Sequence, residues 1–348
     1  MDEIDPTPSR GAEALPGLDL DALAGFLGEA VPGLAARPLS GSLIAGGKSN
    51  LTYRVTDGTR VFVVRRPPLG HVLETAHDMG REHRVITALR PTGVPVPEPI
   101  ALCADPDVIG APFYVMSFVE GDIHRTAGSL RALGPERTTA ISKAGVATLA
   151  ALHAVDPAAV GLADFGRPEG FVERQVRRWG KQLEASRSRD LPGIDTLYDA
   201  LATRIPAEQP PAIVHGDYRI DNLVIGPDDA VAAVLDWEMS TLGDPLTDLG
   251  LMRVYEELSA VFPGIADAPS APGFTRGADA VDAYVAAGGR PVDQVDFYVA
   301  LAAFKLAVIL EGIHLRHAQG MTAGGGFDNI GDAVPLLIDL GHRALSGD

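Results

Sequence analysis

The spacing of apolar residues changes character once along this chain. Residues 1 to about 16 mix Pro, Ser, Gly and acids without periodicity, which predicts a loose tail. Asp19 then precedes Leu20, Leu23, Phe26 and Leu27, the spacing of a short capped helix closed by Pro32. From Ser42 to Arg65 the period shortens to that of strands. Leu51–Val55 and Val61–Val64 flank Asp57-Gly58, a hairpin turn. A helix is predicted over about Asp78 to Leu89, ended by Pro91, Pro95, Pro97 and Pro99. An extended piece near Ile100–Leu102 and a strand over Phe113–Phe118 follow, and Glu120-Gly121 then breaks the pattern. Beyond it the chain reads as helical apart from one β segment at Ile213 to Leu235 and an exposed loop from Phe262 to Gly277. The expected organisation is therefore α+β: a tail over 1–16, a β-rich region over 17–118 and a helix-rich region over 119–348.

Composition narrows the partners. With 46 acidic against 29 basic side chains, the formal net charge is -17. Such a surface repels phosphate backbones and anionic lipid, so neither nucleic acid nor a membrane is expected as a partner. A single cysteine, Cys103, excludes an intramolecular disulfide and a multi-cysteine zinc site. The acidic start, Met1 to Asp5, lacks the basic-then-apolar layout of a signal peptide. The most apolar stretch, Phe297 to Ile313, carries Lys305 and Glu311, which predicts a buried helix rather than a span. A soluble cytoplasmic protein is expected, and the sequence sets no oligomeric state.

The densest chemical signal is His215-Gly216-Asp217-Tyr218-Arg219-Ile220-Asp221-Asn222, followed by Leu235-Asp236-Trp237-Glu238. Asn222–Ile225 reads as a short strand, Gly226–Asp229 as a turn, and Val231–Leu235 as the returning strand. In such a hairpin Asn222 and Asp236 are expected to meet at the open end. An amide oxygen and a carboxylate form a hard pair suited to magnesium with waters and phosphates. Asp217, in the loop leading into the hairpin, is placed to take a proton from a hydroxyl near a metal-bound phosphate. Arg219 could neutralise charge developing on a transferred phosphoryl group.

This run resembles the catalytic loop of the aminoglycoside phosphotransferase and choline kinase-like family, H-G-D-x-x-x-x-N followed by a metal-binding Asp. The resemblance implies a two-lobed, protein-kinase-like fold, with an antiparallel N-lobe sheet, one key helix and a mostly helical C-lobe. It implies Asp217 as catalytic base, Asn222 and Asp236 as metal ligands, and ATP with magnesium as cofactors. Protein kinases carry H-R-D-L-x-x-x-N and D-F-G instead. Gly216 and Asp236-Trp237-Glu238 fit the small-molecule branch.

Within that resemblance, a small lobe needs a strand cation to grip phosphate and a helix carboxylate to hold the cation. Arg65 ends the Val61–Val64 strand where the family usually has Lys, and Arg66 is the other candidate. Glu82 shares a helix face with Val85, Ile86 and Leu89, so its carboxylate needs a partner. The phosphate-covering loop would be Ala45–Asn50, with Gly47, Lys48, Ser49 and Asn50 near the nucleotide. It is not the pattern G-x-x-x-x-G-K-[ST], which argues against a Walker-type ATPase. Ser117 and Val119, in the lobe connection, would face adenine. Asp244 reads as a helix cap and Asp248 as a support for the catalytic loop.

Arg174, Arg177, Arg178 and Lys181 form one basic helix face beside Trp179. Two readings fit: a solvated face paired with nearby acids, or a site for an anionic substrate. Arg174–Trp179, Arg65–Gly70 and Leu315–Gly320 resemble the subgroup associated with acyl-CoA dehydrogenases, which implies an acceptor hydroxyl on a hydroxyacyl-CoA or hydroxy acid. His314 and Arg316 could line that acceptor site. An aminoglycoside acceptor, a protein kinase and a non-catalytic nucleotide-binding regulator are the rival readings.

Overall fold

The structure is a computed structural model in which residues 15–31, 34, 38–44, 50–70, 78–321 and 327–347 are described. The chain divides into two compact units, one comprising Met1–Glu120 with Ala233–Glu238, the other Gly121–Ala232 with Met239–Asp348.

In the first unit, α1 (Leu20–Ala30) starts where the Asp19 carboxylate accepts from the Asp21 and Ala22 amides. A five-stranded antiparallel sheet follows, built from β1 (Ser40–Leu43), β2 (Leu51–Thr56) and β3 (Val61–Arg66). After α2 (Met79–Leu89), β4 (Pro99–Cys103) and β5 (Phe113–Ser117) complete it, in the order β1-β2-β3-β5-β4. The β2–β3 turn forms at Asp57-Gly58 as its residues predict, with Asp57 Oδ1 accepting from the Thr59 and Arg60 amides. Alternation on β3 sends Phe62 and Val64 into a core with Leu23, Leu27, Tyr53 and Phe113. Arg65, paired in register with Thr52 and Tyr114, lies on the opposite face, where α2 packs against β5.

The second unit is mostly helical. It opens with α3 (Ala127–Leu133), α4 (Pro135–Ala154), α5 (Phe171–Ser186) and α6 (Ile194–Thr203). Four short strands follow: β6 (Ala212–Val214), β7 (Leu223–Ile225), β8 (Val231–Val234) and β9 (Thr241–Gly243). β6 pairs with β9, β7 pairs with β8, and the division between the units falls within β8. Four helices close the chain: α7 (Leu246–Val261), α8 (Gly277–Ala286), α9 (Val295–Ala318) and α10 (Ala333–Ser346). Gly250 on α7 lets the backbones of α7 and α9 approach: a Cβ there would lie 2.5 Å from the Tyr298 carbonyl.

Among the described residues, α9 alone is long and apolar enough to cross a membrane, yet 72% of its most apolar window is buried. It packs against α5, α6, α7 and α10 as a core helix. Two expectations are corrected. Asn222 ends a 3-10 turn, Ile220–Asn222, and β7 starts one residue later. The stretch 262–277 is not simply exposed, because Ala266, Ala268, Pro269, Ala271 and Thr275 are buried. Its many small side chains let it lie flat on α7 and α3, which composition alone reads as a loop.

Candidate active site

In the second unit, β6 delivers the chain into the loop that begins at His215. Both oxygens of the buried Asp248, on α7, receive the loop backbone: His215 N–H at 2.7 Å and Gly216 N–H at 2.8 Å. His153 Nε2 lies 3.3 Å from the same carboxylate, and Tyr284 O–H meets His153 Nδ1 at 2.8 Å. Burial alone would raise the Asp248 carboxyl, but His153 and the His215 amide hold it below the usual carboxylate range. Asp248 thus anchors the loop, as its sequence position suggests. Gly216 has φ +85°, and a Cβ there would lie 2.7 Å from the Met239 carbonyl, so only glycine turns the chain here without strain.

That turn presents Asp217, half-buried, with partners at both oxygens. Tyr255 O–H donates to Oδ1 at 3.0 Å, and Asn222 Nδ2 lies 3.4 Å from Oδ2 and 2.9 Å from the Asp217 carbonyl. Using its amide nitrogen inward leaves the Asn222 amide oxygen as a hard donor. Arg219 is more committed than its expected role requires. It donates to Asp221 at 2.6 Å and to the Ile265 carbonyl at 3.1 Å, and stacks 4.5 Å over the Tyr255 ring. Its cation therefore reaches Asp217 through Tyr255.

Two residues near Asp217 escape the sequence reading. Tyr255 gives no signal in an apolar helical pattern. Lys305 does, as a charge in the middle of apolar α9. Its ammonium donates to the Gly216 carbonyl, the oxygen just before Asp217, at 3.0 Å, and lies 5.8 Å from the Trp179 ring centre. Burial pushes the Lys305 ammonium below its usual value; the Asp217 and Asp248 carboxylates pull the other way, and Arg178 adds repulsion.

The first unit carries a separate charged cluster. Arg65 Nε lies 3.3 Å from Glu82 Oε2, and its Nη2 pairs with Asp236 and lies 3.6 Å from Glu238. Tyr114 O–H donates to Glu82 at 2.9 Å, and Asn50 Nδ2 reaches Glu238 at 2.9 Å and Glu82 at 3.3 Å. Burial opposes the Arg65 charge, but Glu82, Tyr114 and Asp236 outweigh it and keep the guanidinium protonated. Burial pushes the Glu82 carboxyl up to about 7 against the pull of Arg65 and Tyr114. Arg65, not Arg66, is the partner of Glu82; Arg66 donates to the Gly17 and Ile109 carbonyls. Asp236 adopts φ +67°, a backbone state that L residues seldom hold and that marks the position as constrained.

The remaining expectations scatter. Gly47, Lys48 and Ser49 lie outside the described residues. Ser117 accepts from the Glu98 amide at 2.9 Å, and Val119 is half-buried. Arg174 is spent on the Arg167 and Glu169 carbonyls, and Arg177 pairs with Glu173. Arg178 stacks 5.5 Å over Trp179, the ring that Lys305 also faces. His314 packs against Gly331, beside the Arg189–Glu311 pair, and Arg316 is exposed.

Residues 40–288 match the profile of the phosphotransferase enzyme family. The mouse protein named acyl-CoA dehydrogenase family member 10 is 34% identical over 339 residues, covering 96% of this chain and 31% of the relative. The chicken family member 11 is 35% identical over 341 residues, covering 93% and 43%. The chain thus spans less than half the length of these curated relatives. A crystal structure of a Ralstonia eutropha protein, provisionally assigned as an aminoglycoside phosphotransferase, is 36% identical with a TM-score of 0.83, covering 94% of this chain and 98% of that one. An aminoglycoside phosphotransferase solved with AMP-PNP and hygromycin B shares the fold at 13% identity and a TM-score of 0.60, covering 94% and 99%. The chain belongs to the phosphotransferase enzyme family, on the kinase-like aminoglycoside phosphotransferase fold.

Proposed function

We propose that this protein transfers the γ-phosphoryl group of ATP to the hydroxyl of a hydroxyacyl-CoA or hydroxy acid, with Asp217 as catalytic base. The observation that carries the reading is the Asp217 carboxylate, fixed by Tyr255 and Asn222 on a loop whose amides are tied to Asp248. A carboxylate so held can orient an alcohol and accept its proton without moving. The acceptor oxygen bonds to the γ-phosphorus as the bond to the β,γ-bridging oxygen breaks. ADP leaves with that electron pair, and a phosphomonoester forms.

The nucleotide grip falls to Arg65, steadied by Glu82, with Asn50 and the residues that precede it in sequence, Gly47, Lys48 and Ser49, as the proposed phosphate-covering segment. Ser117 and Val119 are the proposed adenine contacts. Asn222 and Asp236 supply oxygen donors of the hard type that magnesium takes. Bound magnesium would neutralise phosphate charge. Arg219 supports Asp217 through Tyr255. The acyl-type acceptor is favoured by the relatives' names and by the Lys305 cation beside the Asp217 loop, which a polycationic aminoglycoside would meet as repulsion. Arg174, His314 and Arg316 stand further from that reading.

The test is magnesium-dependent ADP release across hydroxyacyl-CoAs, free hydroxy acids, aminoglycosides, choline and sugars. Asp217→Asn should lower kcat by at least about a thousandfold while leaving nucleotide affinity within a few-fold. Full turnover by the variant would remove Asp217 from the chemistry. Turnover confined to aminoglycosides would replace the acceptor, and nucleotide binding without turnover would point to a regulator.

A further inference from the structure

Among the charged groups near the Asp217 loop, Lys305 is the one whose presence the fold least explains. It interrupts the apolar run of α9, where any aliphatic residue would pack at lower desolvation cost. Its one hydrogen bond among the described residues, to the Gly216 carbonyl, satisfies an oxygen on a half-buried residue that water could also serve. An ammonium has three donors, and among the described residues this one uses one of them on protein. Its ammonium lies 5.8 Å from the centre of the Trp179 ring, over which the Arg178 guanidinium also stacks. A cation backed by an indole and a second cation therefore stands beside the loop of the reacting carboxylate in a protein of net charge -17. Cations offer donors only, so the group they select must present oxygen lone pairs.

We propose that Lys305 is a specificity-determining residue that holds a carbonyl or carboxylate oxygen of the acceptor beside Asp217, with Trp179 as the wall that fixes the ammonium. The proposal rests on the phosphotransfer reading above and adds the acceptor contact to it. A cation at this point does two things. It binds the acyl oxygen, and it sets the distance from that oxygen to the hydroxyl that Asp217 can reach. Acceptors are then sorted by the number of carbons between the two groups, and alcohols without the oxygen are refused.

Binding and turnover separate this from the parent reading. The CoA thioesters of 2-, 3-, 4- and 5-hydroxypentanoate are titrated calorimetrically into wild type, Lys305→Met and Lys305→Arg in magnesium and AMP-PNP. The tightest thioester should bind Lys305→Met about tenfold or more weakly, Lys305→Arg should recover most of the loss, and AMP-PNP affinity should stay within twofold. Trp179→Phe keeps an aromatic wall and should cost less than Lys305→Met. Thioester binding within twofold of wild type in Lys305→Met overturns the proposal. So does equal loss of thioester and AMP-PNP, the mark of a structural lysine, and so does absence of thioester binding to wild type. Lys305-dependent binding without ADP release would instead sink the phosphotransfer reading and leave the acceptor contact standing.

Discussion

Each unit buries carboxylates against cations, but the two satisfy them by different means. In the first unit Arg65 faces Glu82, Asp236 and Glu238, and the cluster is built from side chains, with Asn50 and Tyr114 as its neutral members. In the second, Asp248 takes two backbone amides and a histidine, and Asp217 takes a phenol and an amide. A side-chain cluster can exchange partners when a polyanion arrives, since no peptide need move. A carboxylate tied to peptide N–H groups fixes a loop. Under the proposed function, the first kind of cluster would yield carboxylates to a metal and the second would hold a base still.

The strongest way to break this contrast is Arg65→Met. It leaves three carboxylates facing one another without their cation, two of them largely buried, and should cost about 3–5 kcal/mol in urea unfolding. Arg65→Lys should recover part of that, because an ammonium cannot fork across Glu82 and Asp236 together. A loss under about 1 kcal/mol for Arg65→Met would mean the carboxylates find other partners and the cluster holds little.

Next in size is Asp248→Asn. The amide keeps one acceptor oxygen but turns a donor toward one of the two loop amides, leaving a buried N–H unpaired at about 2–3 kcal/mol. Turnover should fall further than stability explains, since the Asp217 backbone follows His215 and Gly216. Stability lost with kcat intact would show that Asp248 holds the core and not the loop.

Legibility in the sequence follows the same division. Elements defined by period and punctuation were readable: the Asp19 cap, the helix from about Asp78 to Leu89, the Asp57-Gly58 turn, the strands around it and the buried α9. So was the pairing of Glu82 with a strand arginine, because a carboxylate on an apolar helix face must have a partner. What failed depended on residues distant in sequence. Tyr255 and Lys305 lie on helices that read as core, and only tertiary packing turns them toward Asp217. The basic face of α5 was legible as a face, yet local carbonyls and Glu173 consume Arg174 and Arg177, leaving Arg178 to join Trp179. Stretch 262–277 misled because small residues pack closely without showing an apolar period.

The finest comparison is between two glutamates that burial pushes up to about 7, Glu82 in the first unit and Glu256 in the second. Glu256 accepts from the Gly277 amide and lies 3.0 Å from Arg253, while its other oxygen has no partner among the described residues. The folded carboxyl keeps its proton to about 7, whereas the unfolded chain releases it near about 4.3. Between those values the folded state binds more protons than the unfolded, so this residue makes stability fall as pH rises. Glu256→Gln removes the titration without removing the shape. Variant and wild type should match near pH 4.5, and by pH 7.5 the variant should lead by about 1–3 kcal/mol in urea unfolding. A variant that is instead less stable at pH 7.5 would mean that Glu256 is ionised and firmly paired with Arg253. The second unit would then share the ion-pair logic of the first.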